Sequence, residues 1–290
     1  RTMLAIYKRE FKSYFQSMVG CVFVAFLVAF TGIYFTAYNL NAGYPYFSYT
    51  LSGSLIVFIV GIPLITMRSF AEERKNTTDQ LLLTAPVSLT KIVLGKYLAM
   101  ISVVAIPNLI FCLFPLLIKM NGTAYLKTDY ISIGVFFLLG CVYVAIGMFM
   151  SALTESQMIA FITTFGLLLI LYLWNGIIGF LPSSAIGSLI GLIVIFTIII
   201  AYIYHMTENW MISAVLEVIG IVASVATYIV KSSLFENLLT KILGKLALAD
   251  VFTDITNNHI VDITGIVLYL SVIAIFIVLT IQAIQKRRWS

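Results

Sequence analysis

Apolar residues recur along this chain in runs of 17 to 24 positions, at 19–38, 51–67, 97–118, 130–150, 158–181, 185–204, 211–230 and 263–284, separated by polar segments. One such run, coiled as a helix, crosses a hydrocarbon core of roughly 30 Å. In lipid the backbone must satisfy its own hydrogen bonds, so a spanning segment is either a helix or a strand of a closed barrel. Barrel strands alternate apolar and polar positions over about ten residues, and these runs do not. The pattern predicts an all-α polytopic membrane protein with about eight transmembrane helices. The sixth and seventh runs are joined only by "HMTENW"; a pair that turns back inside the membrane leaves six.

Two polar segments keep a helical period. In "MLAIYKREFKSYFQS", Leu4, Tyr7, Phe11, Tyr14 and Phe15 share one face while Lys8, Arg9 and Lys12 take the other, which predicts an interfacial elbow helix over 1–17. In "SLFENLLTKILGKLALADVF", Leu238, Leu239, Ile242 and Leu246 form a stripe opposite Lys241 and Lys245. This predicts a second interfacial helix within an extracytoplasmic segment, 231–262, leading through "TDITNNHIVD" into the last span.

Charge then fixes sidedness. Arg1, Lys8, Arg9, Lys12, Arg68, Arg74, Lys75, Lys91, Lys96, Lys286, Arg287 and Arg288 fall on one side, twelve of the seventeen Lys and Arg. The positive-inside rule makes that side cytoplasmic and places both termini there. A composition 61% hydrophobic and 10% charged is that of a membrane protein, and the net charge of +5 suits anionic lipid headgroups, with no nucleic acid implied. Cys21, Cys112 and Cys141 all lie in apolar runs with no metal spacing, and the basic N-terminal stretch precedes a full-length span without a small-residue cleavage site.

The longest polar-rich stretch of the first two thirds is "SFAEERKNTTDQLLLTAPVSLTKIVLGK", residues 69–96. Its first seven residues extend the second span as a charged helix, and "NTT" supplies a break. "DQLLLTA" is a short transverse helix stopped at Pro86, and Ser88 is placed to cap the helix that re-enters the membrane. Leu81, Leu82 and Leu83, framed by charge, have nothing in a plain loop to cover them and predict a docking surface.

This stretch resembles the signature of the type-2 ATP-binding-cassette (ABC) exporter permeases, in the branch of gliding-motility and nitrous-oxide-reductase-maturation permeases. The similarity is carried by Glu72-Glu73-Arg74-Lys75, Thr78, Leu81-Leu82-Leu83-Thr84, Pro86-Val87-Ser88 and Gly95-Lys96-Tyr97. Thr77, Asp79 and Gln80 depart from the usual Gly, aliphatic residue and Glu; Thr77 counts against a left-handed turn there. The elbow and the tail with Asp262 before the last span are also similar, so the resemblance covers about the whole chain apart from 185–230, which looks like a helix pair added to a single permease domain, 1–290.

The resemblance implies a subunit without its own ATPase, paired with a second permease subunit, identical or related, in a bacterial cell membrane. Each would receive a cytoplasmic nucleotide-binding subunit, two per complex, that holds ATP and Mg and grips the coupling helix. The implied contact residues are Glu72, Glu73, Arg74, Lys75, Thr78, Leu81, Leu82, Leu83 and Pro86. Independently, no G-x-x-x-x-G-K-[ST] phosphate cradle occurs in the chain. No catalytic set or metal cluster is visible either. Asn108, Asn175 and Glu217 are the polar candidates for a substrate path, and the greasy spans favour lipid-like or amphipathic peptide cargo. A mechanotransmission or assembly complex without cargo remains open. A secondary transporter is the less favoured reading, since it would place several ionisable groups at mid-membrane and show internal repeats.

Overall fold

The computed structural model describes residues 2–78, 87–207, 210–259 and 262–289. Among them the secondary structure is helical throughout, with no strand. Six helical stretches are long and apolar enough to cross a membrane: Val19–Asn41, Phe47–Lys75, Leu89–Asn121, Leu126–Leu153, Ser213–Val230 and Ile263–Arg287. The runs predicted at 158–181 and 185–204 fall on shorter apolar helices, Gln157–Tyr172 and Ala185–Ala201. The first of these stops because the chain leaves helical geometry at Leu173 and restarts as a six-residue helix, Trp174–Gly179.

The described residues form two compact units, one of 1–172 with 248–290 and one of 173–247. In the first lie α1 (Thr2–Gln16), α2 (Val19–Phe35), α3 (Phe47–Thr66), α4 (Ala71–Lys75), α5 (Leu89–Phe111), α6 (Phe114–Asn121), α7 (Leu126–Leu153), α8 (Gln157–Tyr172), α13 (Leu248–Asn258) and α14 (Ile263–Trp289). Its centre is α3 against α7, which bury 67% and 72% of their most apolar stretches against 17% for α14. Phe58 and Phe136 stack across this contact at 4.2 Å. Gly147 of α7 lies so near Thr66 that a β-carbon there would stand 2.4 Å from the threonine hydroxyl. Small residues permit such close helix approach, and packing of this kind is what joins helices in lipid.

One end of this unit is aromatic and polar. Asp129, fully buried on α7, accepts the Phe47 N–H at 2.9 Å and so caps the start of α3 from a neighbouring helix, where a carboxylate also meets the positive end of the helix dipole. The last turns of the α2 stretch are a π-helix, Thr36–Asn41, whose Asn39 donates to the Tyr44 and Tyr46 carbonyls at 2.8 and 3.0 Å. The Tyr46 ring is stacked on Tyr125 at 4.5 Å and on His259 at 4.3 Å.

The second unit holds α9 (Trp174–Gly179), α10 (Ala185–Thr207), α11 (Trp210–Val230), a 3₁₀ turn (Ser232–Phe235) and α12 (Leu238–Gly244). Trp174 Nε1 donates to the Leu243 carbonyl at 2.7 Å, tying α9 to α12. The amphipathic segment expected as one helix is thus divided: Asn237 takes a left-handed backbone, α12 ends at Gly244, and α13 continues through Asn258 in the first unit.

Candidate functional site

The charged motif begins where α3 breaks. Between Met67 and Phe70 the chain leaves the helix before α4 resumes it, and a break at the end of an apolar helix frees backbone groups that must find partners. Side chains from three other helices supply them. Ser151 Oγ of α7 accepts from the Phe70 and Ala71 N–H groups at 3.2 and 3.1 Å and donates to the Met67 carbonyl at 3.2 Å. Lys96 Nζ of α5 donates to the Ser69 carbonyl at 2.8 Å. Tyr14 of α1 donates to the Ile65 carbonyl at 3.1 Å; burial pushes its hydroxyl well above the usual phenol range, which keeps the proton on the donor.

A knot of charge sits on this joint. The Lys96 ammonium, 1% exposed, lies 2.9 Å from Glu73 Oε1 and 3.3 Å from Glu10 Oε2, with the Phe70 ring centroid at 5.2 Å. Arg9 closes the ring by reaching Glu10 at 2.6 Å and Glu73 at 3.2 Å. Arg68 and Glu72 pair separately through two bonds, 2.7 and 2.6 Å, one helical turn apart. The groups border a cavity of about 730 Å³, lined also by Ser13, Gln16, Asn76 and Thr78. Gly95, beside the lysine, lets α1 lie close: a β-carbon there would stand 3.0 Å from Ile6.

At the end of α4 the Thr77 N–H bonds the Arg74 carbonyl and the Thr78 N–H the Glu73 carbonyl, at 3.1 and 2.9 Å. This pair of bonds is the Schellman closure, which needs a left-handed residue after the helix cap. Thr77 is that residue, with φ of 56°, so the left-handed turn exists in spite of the threonine. A β-branched side chain costs about 1–2 kcal/mol in this region. Thr77→Gly is therefore expected to slow hydrogen exchange of the Asn76 and Thr78 amides by roughly threefold, net of glycine's added entropy in the unfolded chain. Unchanged or faster exchange would mean the turn is not strained.

The predicted contact residues divide in their surroundings. Glu73 faces inward to Lys96, and Glu72 is half-buried beside Arg68. Arg74 is half-buried, with Nη1 enclosed and without a hydrogen-bond partner among the described residues. Lys75 is exposed and borders a smaller cavity of about 350 Å³ with Met67, Glu155 and Met158. Thr78 Oγ1 donates to the Glu73 carbonyl at 3.1 Å. Leu81, Leu82, Leu83 and Pro86 lie outside the described residues. Ser88 occupies the cap position of α5, but its hydroxyl makes no capping bond there; its carbonyl accepts from Lys91 and Ile92.

Of the polar candidates in the spans, Asn108 is buried in α5 and donates within its own helix to the Val104 carbonyl at 2.9 Å, its side-chain oxygen having no partner among the described residues. Asn175, exposed on α9, and Glu217 on α11 belong to the second unit. Glu217 lies within a candidate span and accepts from Thr197 Oγ1 at 3.3 Å.

The sequence reading missed Glu10, Arg68, Lys96 and Ser151 as parts of one site. Lys96 did leave a signal, a cation between the apolar "IVLG" and "YLAM" at the entry to a span, since an ionisable group beside an apolar run on a helix needs a named partner.

No curated protein is significantly similar to the chain. The profile of the ABC-2 family transporter proteins matches residues 8–167, from the elbow through the charged joint and into α8. With more than half of its length matched and several helices able to span a membrane, this chain belongs to the ABC-2 family of transporter proteins, as a multi-pass membrane permease of an ABC transporter.

Proposed function

We propose that the chain is a permease subunit of the gliding-motility and nitrous-oxide-reductase-maturation branch, exporting a lipid-like or amphipathic peptide substrate across a bacterial cell membrane. ATP and Mg are held by two separate nucleotide-binding subunits, and a second permease subunit, a copy or a relative, completes the core. Both termini face the cytoplasm, eight helices span, and α1 lies in the inner interface against lipid headgroups. The observation that carries this reading is the α3–α4 joint. A charged segment anchored by side chains of α1, α5 and α7 leads directly into the apolar Leu81, Leu82 and Leu83. Such a segment can pass a partner's movement to the bundle as a lever, whereas a solvated loop would absorb it. The three leucines and Pro86 are the apolar anchor in the partner's cleft, with Arg74, Lys75 and Thr78 at its margin and Glu72 and Glu73 fixing its pose. Asn108, Asn175 and Glu217 are the polar points of the substrate path.

The test is affinity capture of the detergent-solubilised protein from its native membrane, with identification of co-purifying chains and an ATPase assay. A P-loop subunit is expected to arrive with ATPase activity and to be lost when Leu81, Leu82 and Leu83 are changed to Asp. Recovery of a lone chain without ATPase activity would overturn the reading and favour a secondary transporter.

A further inference from the structure

We propose that Lys96 is the positioning residue of the α3–α4 joint: its buried ammonium fastens α4 to α1 and to the broken end of α3, so that a push on the segment after α4 reaches α1, α3 and α5 together. This rests on the coupling reading and goes beyond it by assigning the transmission to one side chain and naming the elements it joins.

The Lys96 ammonium is held at three points, each on a different piece of chain: it donates to the Ser69 carbonyl in the break at 2.8 Å and pairs with the carboxylates of Glu73 on α4 and Glu10 on α1 at 2.9 and 3.3 Å. A buried cation is tolerated only while it is satisfied, so any motion that pulls one of these pieces away leaves an ammonium that is 1% exposed short of a partner. The Arg68–Glu72 pair has no such consequence, because both residues sit on the same short segment and stand partly in solvent. Arg9 ties Glu10 to Glu73 a second time, and Ser151 holds the opposite side of the break to α7. With these bonds in place α4 cannot swing as a separate flap.

The experiment uses the complex with its co-purified ATPase subunit in lipid nanodiscs. Spin labels replace the exposed Lys8 of α1 and Asn76 after α4, in a chain whose Cys21, Cys112 and Cys141 are changed to Ala. The label separation is measured without nucleotide and in the ATP–vanadate trapped state. The natural joint is expected to give one narrow distance distribution that does not move between the two states. In Lys96→Met/Glu73→Gln, which removes the tie while Glu10 keeps Arg9, the narrow distribution is expected to be lost and to shift with nucleotide. A separation that moves between states with the natural joint overturns the proposal, and that comparison decides the matter even if the double variant does not assemble. A double variant whose distributions match the natural joint in both states overturns it equally. Failure of the coupling reading has a different signature, a chain that arrives with no P-loop subunit at all.

Discussion

Gly147→Leu is expected to destabilise the helix bundle by about 3 kcal/mol, at the upper end of the usual cost of overpacking, and to do so through the α3–α7 contact. Even the first carbon of a side chain there would meet Thr66 at 2.4 Å from Oγ1 and 2.8 Å from both Cβ and Cγ2. Thr66 cannot turn aside cheaply, because it is fully buried and its hydroxyl donates to the Ile62 carbonyl at 3.0 Å. The helices must separate instead. Position 147 is one turn before Ser151, so separation also withdraws the hydroxyl that holds the Phe70 and Ala71 amides. Gly134→Leu is the control: it lies on the same helix, where a β-carbon would have nothing within 4 Å, and is expected to leave stability unchanged or raise it by up to about 1 kcal/mol, since glycine inside a helix is itself unfavourable. Thermal loss of the monodisperse species in detergent reads both variants. Equal midpoints for the two would mean that α3 and α7 are not packed as described.

Gly147 also marks where the sequence stops being informative. The apolar runs were enough to find α2, α3, α5, α7, α11 and α14, since length and hydropathy alone determine whether a segment can cross lipid. They could not show that the fifth run breaks at Leu173, because that break is fixed at a distance by the Trp174 indole on the Leu243 carbonyl. The "MRSF" break after α3 contains neither glycine nor proline; it exists because Ser151 and Lys96, remote in sequence, bond its backbone. Thr77 misled in the opposite direction. Its residue type argued against a left-handed turn, and the closure of α4 by two backbone bonds overrode the preference. The candidate site was legible as a composition of charge next to leucines, but which charges face the partner and which face one another depends on α1 and α5, elements that a local motif does not contain.

That distinction separates Glu72 from Glu73, adjacent residues that a motif treats alike. Charge reversal at both is expected to abolish ATP-driven transport, and the single reversals are expected to differ widely. Glu72→Lys breaks a pair with Arg68 whose side chains are 23% and 33% exposed; partly solvated pairs of this kind contribute about 0.5 kcal/mol, so the complex with the ATPase subunit should still assemble. Glu73→Lys instead sets a new cation beside Lys96, which is 1% exposed, and beside Arg9, leaving Glu10 as the only carboxylate of the ring. Breaking a buried pair by removing one partner costs about 3–5 kcal/mol, and the reversed charge adds repulsion. The joint is then expected to open, with loss of most of the co-purifying ATPase subunit even though Leu81, Leu82 and Leu83 are unchanged. Recovery of the ATPase subunit and the thermal midpoint in detergent are the two measurements. If both reversals weaken capture equally while leaving the midpoint where it was, the two carboxylates act as docking charges on the partner and the ring around Lys96 does not hold the segment.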